Sequence, residues 1–135
     1  PASIVDRPAS VEVASLLGIF NLFQVDILEL DPQRNFSRVR LWGQDLVGPY
    51  FPGKLRGDRV WLCVRPEQLS VAGREGKPGP NQVPAQLIRT VEMPQAVRLE
   101  FDGELTVQLS HAEFDKQKHN KEWLVEFPPQ VLRVL

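Results

Sequence analysis

An internal repeat constrains the fold of this chain more than any other feature of its sequence. The segment 56–71, RGDRVWLCVRPEQLSV, resembles the segment 118–134, KHNKEWLVEFPPQVLRV, and further matches lie upstream of both in the same order. Ordered matches separated by loops of unequal length are typical of a duplicated structural unit, so we expect two similar halves. The aligned positions are Asn21 with Asn81, Val39 with Val97, Trp61 with Trp123, and Pro66 with Pro128.

Short alternating patterns of apolar and polar residues fill both halves. The first half contains FQVDILEL, SRVRLWG and RVWLCV, and the second contains VPAQLIRTV, AVRLEF, LTVQL and EWLVEF. Such alternation predicts β-strands with one buried face. A unit of about 55 residues with this many short strands is too small for a β-sandwich, but it suits a small barrel of the oligonucleotide/oligosaccharide-binding (OB) kind. We therefore predict an all-β fold of tandem OB-like small barrels with a short N-terminal helix.

Glycine and proline divide the chain into segments. Pro8 suits the first turn of a short amphipathic helix, and Gly18 suits its end. Farther on, a stretch rich in Gly and Pro without apolar periodicity is typical of a linker. The predicted segments are a linker helix in residues 1–20, a first barrel in 21–71, a linker in 72–80 and a second barrel in 81–135.

A second helix is predicted inside the second barrel. Ser110 and Glu113 have the spacing of a capping box, in which each side chain satisfies a backbone N–H at the other position. This places a short helix between the third and fourth strands of the second barrel. The first half has the proline-rich segment GPYFPGKL at the equivalent place, so no helix is expected there.

Composition excludes several classes of protein. The 16 basic and 17 acidic residues leave a net charge of -1, which supplies no general attraction for nucleic acid or an anionic membrane. Cys63 is the only cysteine, so neither an internal disulfide nor a multi-cysteine zinc site is expected. No apolar run approaches the roughly 20 residues of a membrane span, and no signal peptide is recognisable. Because the sequence begins without Met, we expect it to be a fragment of a longer protein.

The sequence carries no recognisable catalytic or metal-binding motif. It has no phosphate-binding loop, no dinucleotide fingerprint and no HExxH motif. His111 and His119 are too far apart to share the face of a helix, and the strand pattern sends the acidic pairs Asp26/Glu29 and Glu100/Asp102 to solvent. We therefore predict that this chain is not an enzyme, with no catalytic residue and no metal site.

Six residues are candidate contacts for a ligand or an interface. Pro66 is expected to end a strand because it lacks an N–H, but the charges beside it occur in only one half. Those charges indicate either a contact between domains or subunits or an exposed strand end. Trp61 and Trp123 align with each other, and we predict that both fill the core. The candidate residues are Arg65, Pro66, Glu67, Asn21, Asn81 and Trp42.

Two motifs resemble those of the ATP-binding subunits of ABC importers. RPASVEVASLLGIFNLF resembles the P-x-x-x-x-V-A-x-x-x-G-x-x-N pattern that follows the ATPase core, and GDRVWLCVRPEQLSV resembles the G-(D/E)-x-V-x-(L/I)-x-(V/I)-R-P-E-x-(L/I) signature of the transport-associated OB domain, TOBE. The ending AVRLEFDGELTVQLSHAEFD resembles the sulfate/thiosulfate branch. The second motif is carried by Gly57, Asp58, Val60, Leu62, Val64, Arg65, Pro66, Glu67 and Leu69.

The resemblance implies a C-terminal regulatory and dimerisation domain of an importer subunit for sulfate or another inorganic ion. ATP and Mg would bind only an upstream domain that this sequence lacks, so the fragment itself would hold no cofactor. Its implied partners are a second copy of the subunit, the membrane permease through the ATPase domain, and a small anion or a regulatory protein. The implied location is cytoplasmic, on the inner face of the membrane.

Two alternatives remain open at the level of sequence. One is an oxyanion-binding barrel module of the molybdate type, although the S-A-R-N run of molybdate-binding barrels does not precede Asn81. The other is a single-strand nucleic-acid-binding OB protein that uses Trp42 and the strand arginines Arg38, Arg40 and Arg98. The near-neutral net charge argues against the second alternative, and we expect no nucleic-acid partner.

Overall fold

The computed structural model describes residues 20–135. The helix predicted between Pro8 and Gly18 lies outside the described residues. Within the described range almost all regular structure is antiparallel β-sheet, which confirms the predicted all-β class. The elements in chain order are β1 (Asn21–Asp31), β2 (Phe36–Leu41), β3 (Gln44–Gly48), β4 (Arg59–Val64), β5 (Ser70–Gly73), β6 (Gln82–Ala85), β7 (Leu87–Glu92), β8 (Val97–Phe101), β9 (Leu105–Leu109), α1 (His111–Gln117), β10 (Trp123–Glu126) and β11 (Arg133–Val134).

The strands form three sheets that reveal the duplication. Their strand orders are β11-β4-β1-β2-β3, β5-β10-β6 and β7-β8-β9. The long strand β1 of the first half corresponds to β6 and β7 of the second, and a register shift occurs at the same place in both. It lies between Ile27 and Glu29 in β1 and between Leu87 and Arg89 in β7. Such bulges bend a strand, which allows each half to curl into a barrel.

The two halves exchange their last strands. Val71 of β5 pairs with Val125 of β10, and Arg133 of β11 pairs with Cys63 of β4. The boundaries 21–71 and 81–135 therefore describe the repeat but not the sheets. The predicted linker also begins too early, because Ala72 and Gly73 continue β5 and pair with β10. Their backbone groups find partners in the other half, which a local composition pattern cannot show.

A single hydrophobic core is shared by both halves. Every sheet contributes alternate residues to it, as the period of two in a β-strand requires. The exchanged strands bring side chains of one half against those of the other. The largest fully buried side chains are Phe127, Ile27, Leu41, Leu46, Leu62, Leu99, Leu105 and Leu132.

The strand register corrects the alignment of the repeat by one residue. Val60 pairs with Val25, whereas Trp123 pairs with Ala85 at the equivalent place in the second half. Trp123 therefore corresponds to Val60 and faces the core, while Trp61 lies half-buried on the opposite face of its sheet. The prediction that both tryptophans fill the core is wrong for Trp61. A shift of one residue moves a side chain to the other face of a strand.

The predicted helix in the second half is confirmed. Helix α1 lies between β9 and β10, and the backbone N–H of Glu113 donates to Oγ of Ser110 at 3.1 Å. The described segment between β3 and β4 contains no helix, as the prolines there predicted. Within residues 20–135, no helix is long and apolar enough to cross a membrane.

Candidate functional site

The Arg65-Pro66-Glu67 step forms a tight turn at the end of β4. Pro66 is buried as the first residue of a 3-10 turn, Pro66–Gln68, where a missing N–H costs nothing. The backbone N–H of Arg65 donates to Oε1 of Gln68, and the N–H of Gln68 donates to the carbonyl of Arg65, both at 3.0 Å. In the second half the equivalent turn is Pro129–Val131, so Pro66 corresponds to Pro129 and not to Pro128.

The two charged residues of this turn point to solvent. Arg65 and Glu67 are exposed, and the guanidinium of Arg65 lies over the ring of Phe20 at 4.8 Å. Glu67 forms no ion pair with another described residue. The turn therefore presents a fixed pair of opposite charges on the surface.

Asn21 and Asn81 are buried and connect the two halves. Nδ2 of Asn21 donates to the carbonyl of Thr106 at 2.8 Å, and Oδ1 accepts from the N–H of Thr106 at 2.9 Å. Asn81 makes the same pair of bonds with Val47, at 2.8 and 2.9 Å, and donates to the carbonyl of Phe127 at 2.7 Å. Each side-chain amide thus bonds to a strand of the other half in the way that the backbone of a neighbouring strand would. Asn21 bonds to β9, and Asn81 bonds to β3. Both asparagines face the interior, away from any ligand in solvent.

A cleft of about 520 Å³ opens on the outer face of β1, β2 and β4. Its wall combines cationic, acidic, aromatic and amide side chains. We call it the Arg/Trp cleft. Its lining includes Gln24, Asp26, Arg40, Trp42, Arg59 and Trp61, with Gly43, Gly103 and Glu104 at the rim.

A row of alternating charges crosses the floor of the Arg/Trp cleft. Asp26 of β1 lies opposite Arg40 on one side and Arg59 on the other, and Asp45 of β3 follows Arg40. Nε of Arg40 lies 3.2 Å from Oδ1 of Asp45, which partly neutralises that arginine. Arg59 is exposed and forms no ion pair with a described residue. It is therefore the cation of the row that remains available to a ligand.

Trp42 stands at the rim in a strained turn. The two-residue turn Trp42-Gly43 joins β2 to β3 with φ of 50° and 80°. Turns of this shape favour Asn-Gly, and a bulky residue with positive φ is an outlier. The indole contacts the ring of Phe23 edge to face at 5.1 Å. Its far edge lies so close to Gly103 that an added Cβ would be 2.9 Å from two ring atoms. Trp42 nevertheless remains 48% exposed.

A second cleft, of about 650 Å³, occupies the related position in the other half. Because Trp123 corresponds to Val60, the preceding residue Glu122 corresponds to Arg59. Likewise, Asp102 begins the β8–β9 turn as Trp42 begins the β2–β3 turn. This cleft keeps cations at other positions, Arg74 and Lys121. The duplicated clefts have therefore diverged in chemistry.

Shifted pKa values occur outside the Arg/Trp cleft. A hydrogen bond from Arg89, at 2.6 Å, lowers the pKa of Glu100, and one from Arg34 lowers the pKa of Asp31. Each pair therefore adds stability above the ordinary titration range of a carboxyl group and loses it in acid. Burial raises the pKa of the Cys63 thiol, against the opposing charges of Arg133 and Arg65.

Metal-binding clusters are not found in the described part of the chain. No group of three or more His, Cys, Asp or Glu side chains converges there. His111 is exposed, with Nε2 3.0 Å from the carbonyl of Met93, and His119 is exposed as well. The predicted lack of enzymatic activity and of a metal site stays a prediction.

Comparison with known proteins identifies the architecture. No protein-family model and no curated protein sequence matches this chain. A solved structure of the cytoplasmic molybdate-binding protein ModG, with molybdate bound, superimposes with a TM-score of 0.61 at 10% identity, covering 84% of this chain and 94% of ModG. The chain has a tandem OB-type fold. The predicted fold class is thus confirmed, while the importer role and the sulfate branch stay predictions.

The cleft itself was only partly foreseeable from the sequence. The sequence marks Trp42 as a candidate contact and Arg40 as a strand arginine, but no pattern in it singles out Gln24 or Arg59. The dipeptide Trp42-Gly43 between two alternating segments is a signal for a tight hairpin, and it fixes Trp42 at a strand end. That Arg59 lies two strands from Arg40 depends on pairing that only the fold provides.

Proposed function

We propose that this chain is an oxyanion-binding module and that the Arg/Trp cleft is its binding site. The observation that carries the proposal is the exposed guanidinium of Arg59, which has no ion pair with a described residue and stands in a cleft that also contains Arg40. Guanidinium groups form strong charge-assisted hydrogen bonds with the oxygens of an oxyanion. The likeness of the fold to a molybdate-binding protein supports the same reading.

Replacing Arg59 by glutamine is expected to weaken oxyanion binding at least tenfold. The substitution removes a charged donor, and a hydrogen bond to a charged group contributes about 1.5–3 kcal/mol. Titration calorimetry with molybdate, tungstate and sulfate measures the effect. Arg56→Gln is the matched control, because Arg56 is exposed but does not line the cleft, and it should change affinity less than twofold.

Asp26→Asn should act in the opposite direction. Removing the carboxylate between Arg40 and Arg59 removes repulsion, so the affinity for an inorganic oxyanion is expected to rise roughly threefold or more.

The second cleft is the alternative place for the site. If Arg74→Gln/Lys121→Gln abolished anion binding while Arg59→Gln left it unchanged, the binding site would be the second cleft. Absence of binding heat with every anion tested at millimolar concentration, inorganic or organic, would contradict the proposed function.

A second candidate function is the regulatory and dimerisation domain of an importer ATP-binding subunit. It is favoured by the Arg65-Pro66-Glu67 turn, where buried Pro66 holds two opposite charges on the surface. Such charges set the register and specificity of a protein contact. In this role the partners would be a second copy of the subunit and, through an ATPase domain, the permease. ATP and Mg would bind that ATPase domain, at the cytoplasmic face of the membrane.

Charge reversal tests the second candidate in the full-length gene product. Arg65→Glu and Glu67→Arg, introduced one at a time, are each expected to weaken its dimerisation at least tenfold, because a single reversal sets a like charge against the partner's charge across the interface. Gel filtration with light scattering over a range of concentrations gives the dissociation constant. Glu75→Lys and Lys77→Glu, introduced one at a time at exposed positions of the linker, are the matched controls. If dimerisation and transport were both unchanged, Arg65 and Glu67 would be ordinary solvent-exposed residues with no role in an interface.

A further inference from the structure

We propose that the anion held by the Arg/Trp cleft is carried on a flat ring, as in a nucleoside monophosphate, and is not a bare inorganic oxyanion. This inference rests on the proposed function, because it assigns the class of ligand that occupies the same cleft. Four features support it: the size of the cleft, the position of Trp42, the separation of the arginines and the presence of Asp26.

The cleft is larger than an inorganic oxyanion requires. Its volume of about 520 Å³ falls within the range of about 300–1,000 Å³ that is usual for sites of small organic molecules. A central atom with four oxygens fills only a small part of that space. Its hydrogen bonds would come from one end of the cleft and leave the aromatic end occupied by water.

Trp42 supplies a rigid aromatic platform. Its backbone is held in the left-handed region at φ of 50°, its ring packs on Phe23, and its far edge fits against Gly103. Strained backbone is concentrated at functional sites, where the surrounding structure holds it in place. A ring that is 48% exposed and already fixed loses little conformational freedom when a second ring stacks on it. An inorganic oxyanion gains nothing from such a surface.

The cations and the aromatic ring are spread across three strands. Arg59 of β4 and Arg40 of β2 flank β1, so their backbones are about 10 Å apart at the usual spacing of neighbouring strands. Trp42 continues β2 beyond Arg40. A ligand that reaches both Arg59 and Trp42 must therefore be an extended molecule, with its anionic group at one end and its ring at the other.

Asp26 favours a ligand that carries a sugar over a bare anion. Its carboxylate lies between the two arginines, where it repels an inorganic oxyanion but can accept hydrogen bonds from sugar hydroxyl groups. Gln24, on the same face of β1, adds an amide that can both donate and accept. A ring, a hydroxylated spacer and a phosphate match this order of groups.

The diverged second cleft predicts the stoichiometry. With Asp102 in the place of Trp42, the second cleft lacks the exposed aromatic platform, and with Glu122 in the place of Arg59 its cations, Arg74 and Lys121, lie at other positions. We therefore expect one ligand for each chain, despite the duplicated fold. Two equivalent sites would contradict the assignment.

The test compares adenosine monophosphate, adenosine and inorganic phosphate by titration calorimetry with the wild-type chain. The monophosphate is expected to bind at one site, at least tenfold more tightly than either of the other two. Equal affinity for phosphate and for the monophosphate would overturn this inference and leave the proposed function intact. Absence of binding by any anion, molybdate included, would overturn both.

A short single-stranded oligonucleotide distinguishes a free nucleotide from a nucleic-acid strand as the source of the ligand. Because ring and phosphate are the same in both, binding of the strand supports the assignment when the monophosphate also binds more tightly than inorganic phosphate. A strand that binds more tightly than the monophosphate, with a steep dependence on salt, identifies nucleic acid as the source. Failure of both compounds to bind contradicts the assignment.

Variants of Trp42 measure the contribution of the ligand's ring to affinity separately from that of its anionic group. Trp42→Ala is expected to lower the affinity for the monophosphate at least tenfold and to leave the affinity for molybdate within twofold. Trp42→Phe keeps a ring at the same place and should restore most of the affinity, which guards against a folding defect in the alanine variant. Equal losses for both ligands in Trp42→Ala, or no loss for either, would contradict the role of the platform.

Discussion

Replacing Asn81 by alanine is expected to lower the free energy of unfolding by about 3–5 kcal/mol. The substitution leaves the N–H and carbonyl of Val47 and the carbonyl of Phe127 without their partners inside the molecule. Each buried polar group that loses its hydrogen bond costs about 1–3 kcal/mol. Asn81 also has φ of 54°, a conformation that asparagine tolerates better than alanine.

Two further substitutions calibrate this effect. Asn21→Ala breaks two bonds where Asn81→Ala breaks three, so we expect a smaller loss of about 2–3 kcal/mol. Asn35→Ala is the matched control, because Asn35 has φ of 49° and its Oδ1 accepts only the exposed N–H of Tyr50. It should cost about 1 kcal/mol. Urea unfolding followed by tryptophan fluorescence measures all three. If Asn81→Ala lowered the free energy of unfolding no more than Asn35→Ala does, the hydrogen bonds of Asn81 to Val47 and Phe127 would add no stability.

Trp123→Ala is expected to cost about 3–5 kcal/mol, the usual range for emptying the place of a large buried ring. Trp123 is only 4% exposed and packs edge to face on Phe101 at 5.8 Å. Trp61→Ala should cost about 1–2 kcal/mol, because that side chain is half-buried on the outer face and removes less apolar surface from water. Denaturant unfolding followed by circular dichroism compares the two variants without depending on the fluorescence of either tryptophan.

Equal losses in the two tryptophan variants would contradict the register that separates them. Leu62→Ala provides a control on β4, because Leu62 is the fully buried neighbour of Trp61 and should cost about 2–5 kcal/mol. If Trp61→Ala lowered the free energy of unfolding as much as Leu62→Ala does, side chains on the outer face of β4 would contribute as much to stability as those on the inner face.

Features set by a few neighbouring residues could be predicted from the sequence. The Ser110 cap depends on a spacing of three residues, and the loop between β3 and β4 on prolines that disfavour a helix. The strands follow from local alternation, which is why the all-β class was predictable. The end of β4 at Pro66 could also be predicted, because the missing N–H of proline ends strand pairing at that residue whatever the rest of the fold.

Features that depend on the pairing of distant strands could not be predicted. Aligning Trp61 with Trp123 gives the better sequence match, yet the true correspondence is one residue away, because identical letters need not occupy the same face. Similarly, nothing local shows that β5 joins the sheet of the second half. The two asparagines recur at equivalent positions of the repeat, but their role depends on Val47 and Thr106, which lie far from them in the chain.

The sequence by itself determined that this protein is a duplicated all-β chain, because repetition, alternation and caps act over short distances along the backbone. It also marked the Arg65-Pro66-Glu67 step, whose proline needs only a local explanation. The tertiary structure alone decided that the halves exchange strands and share one core, and that Arg59, Asp26, Arg40 and Trp42 face one cleft. These side chains come from three strands, and only the hydrogen-bonded register between strands decides which of them share a face.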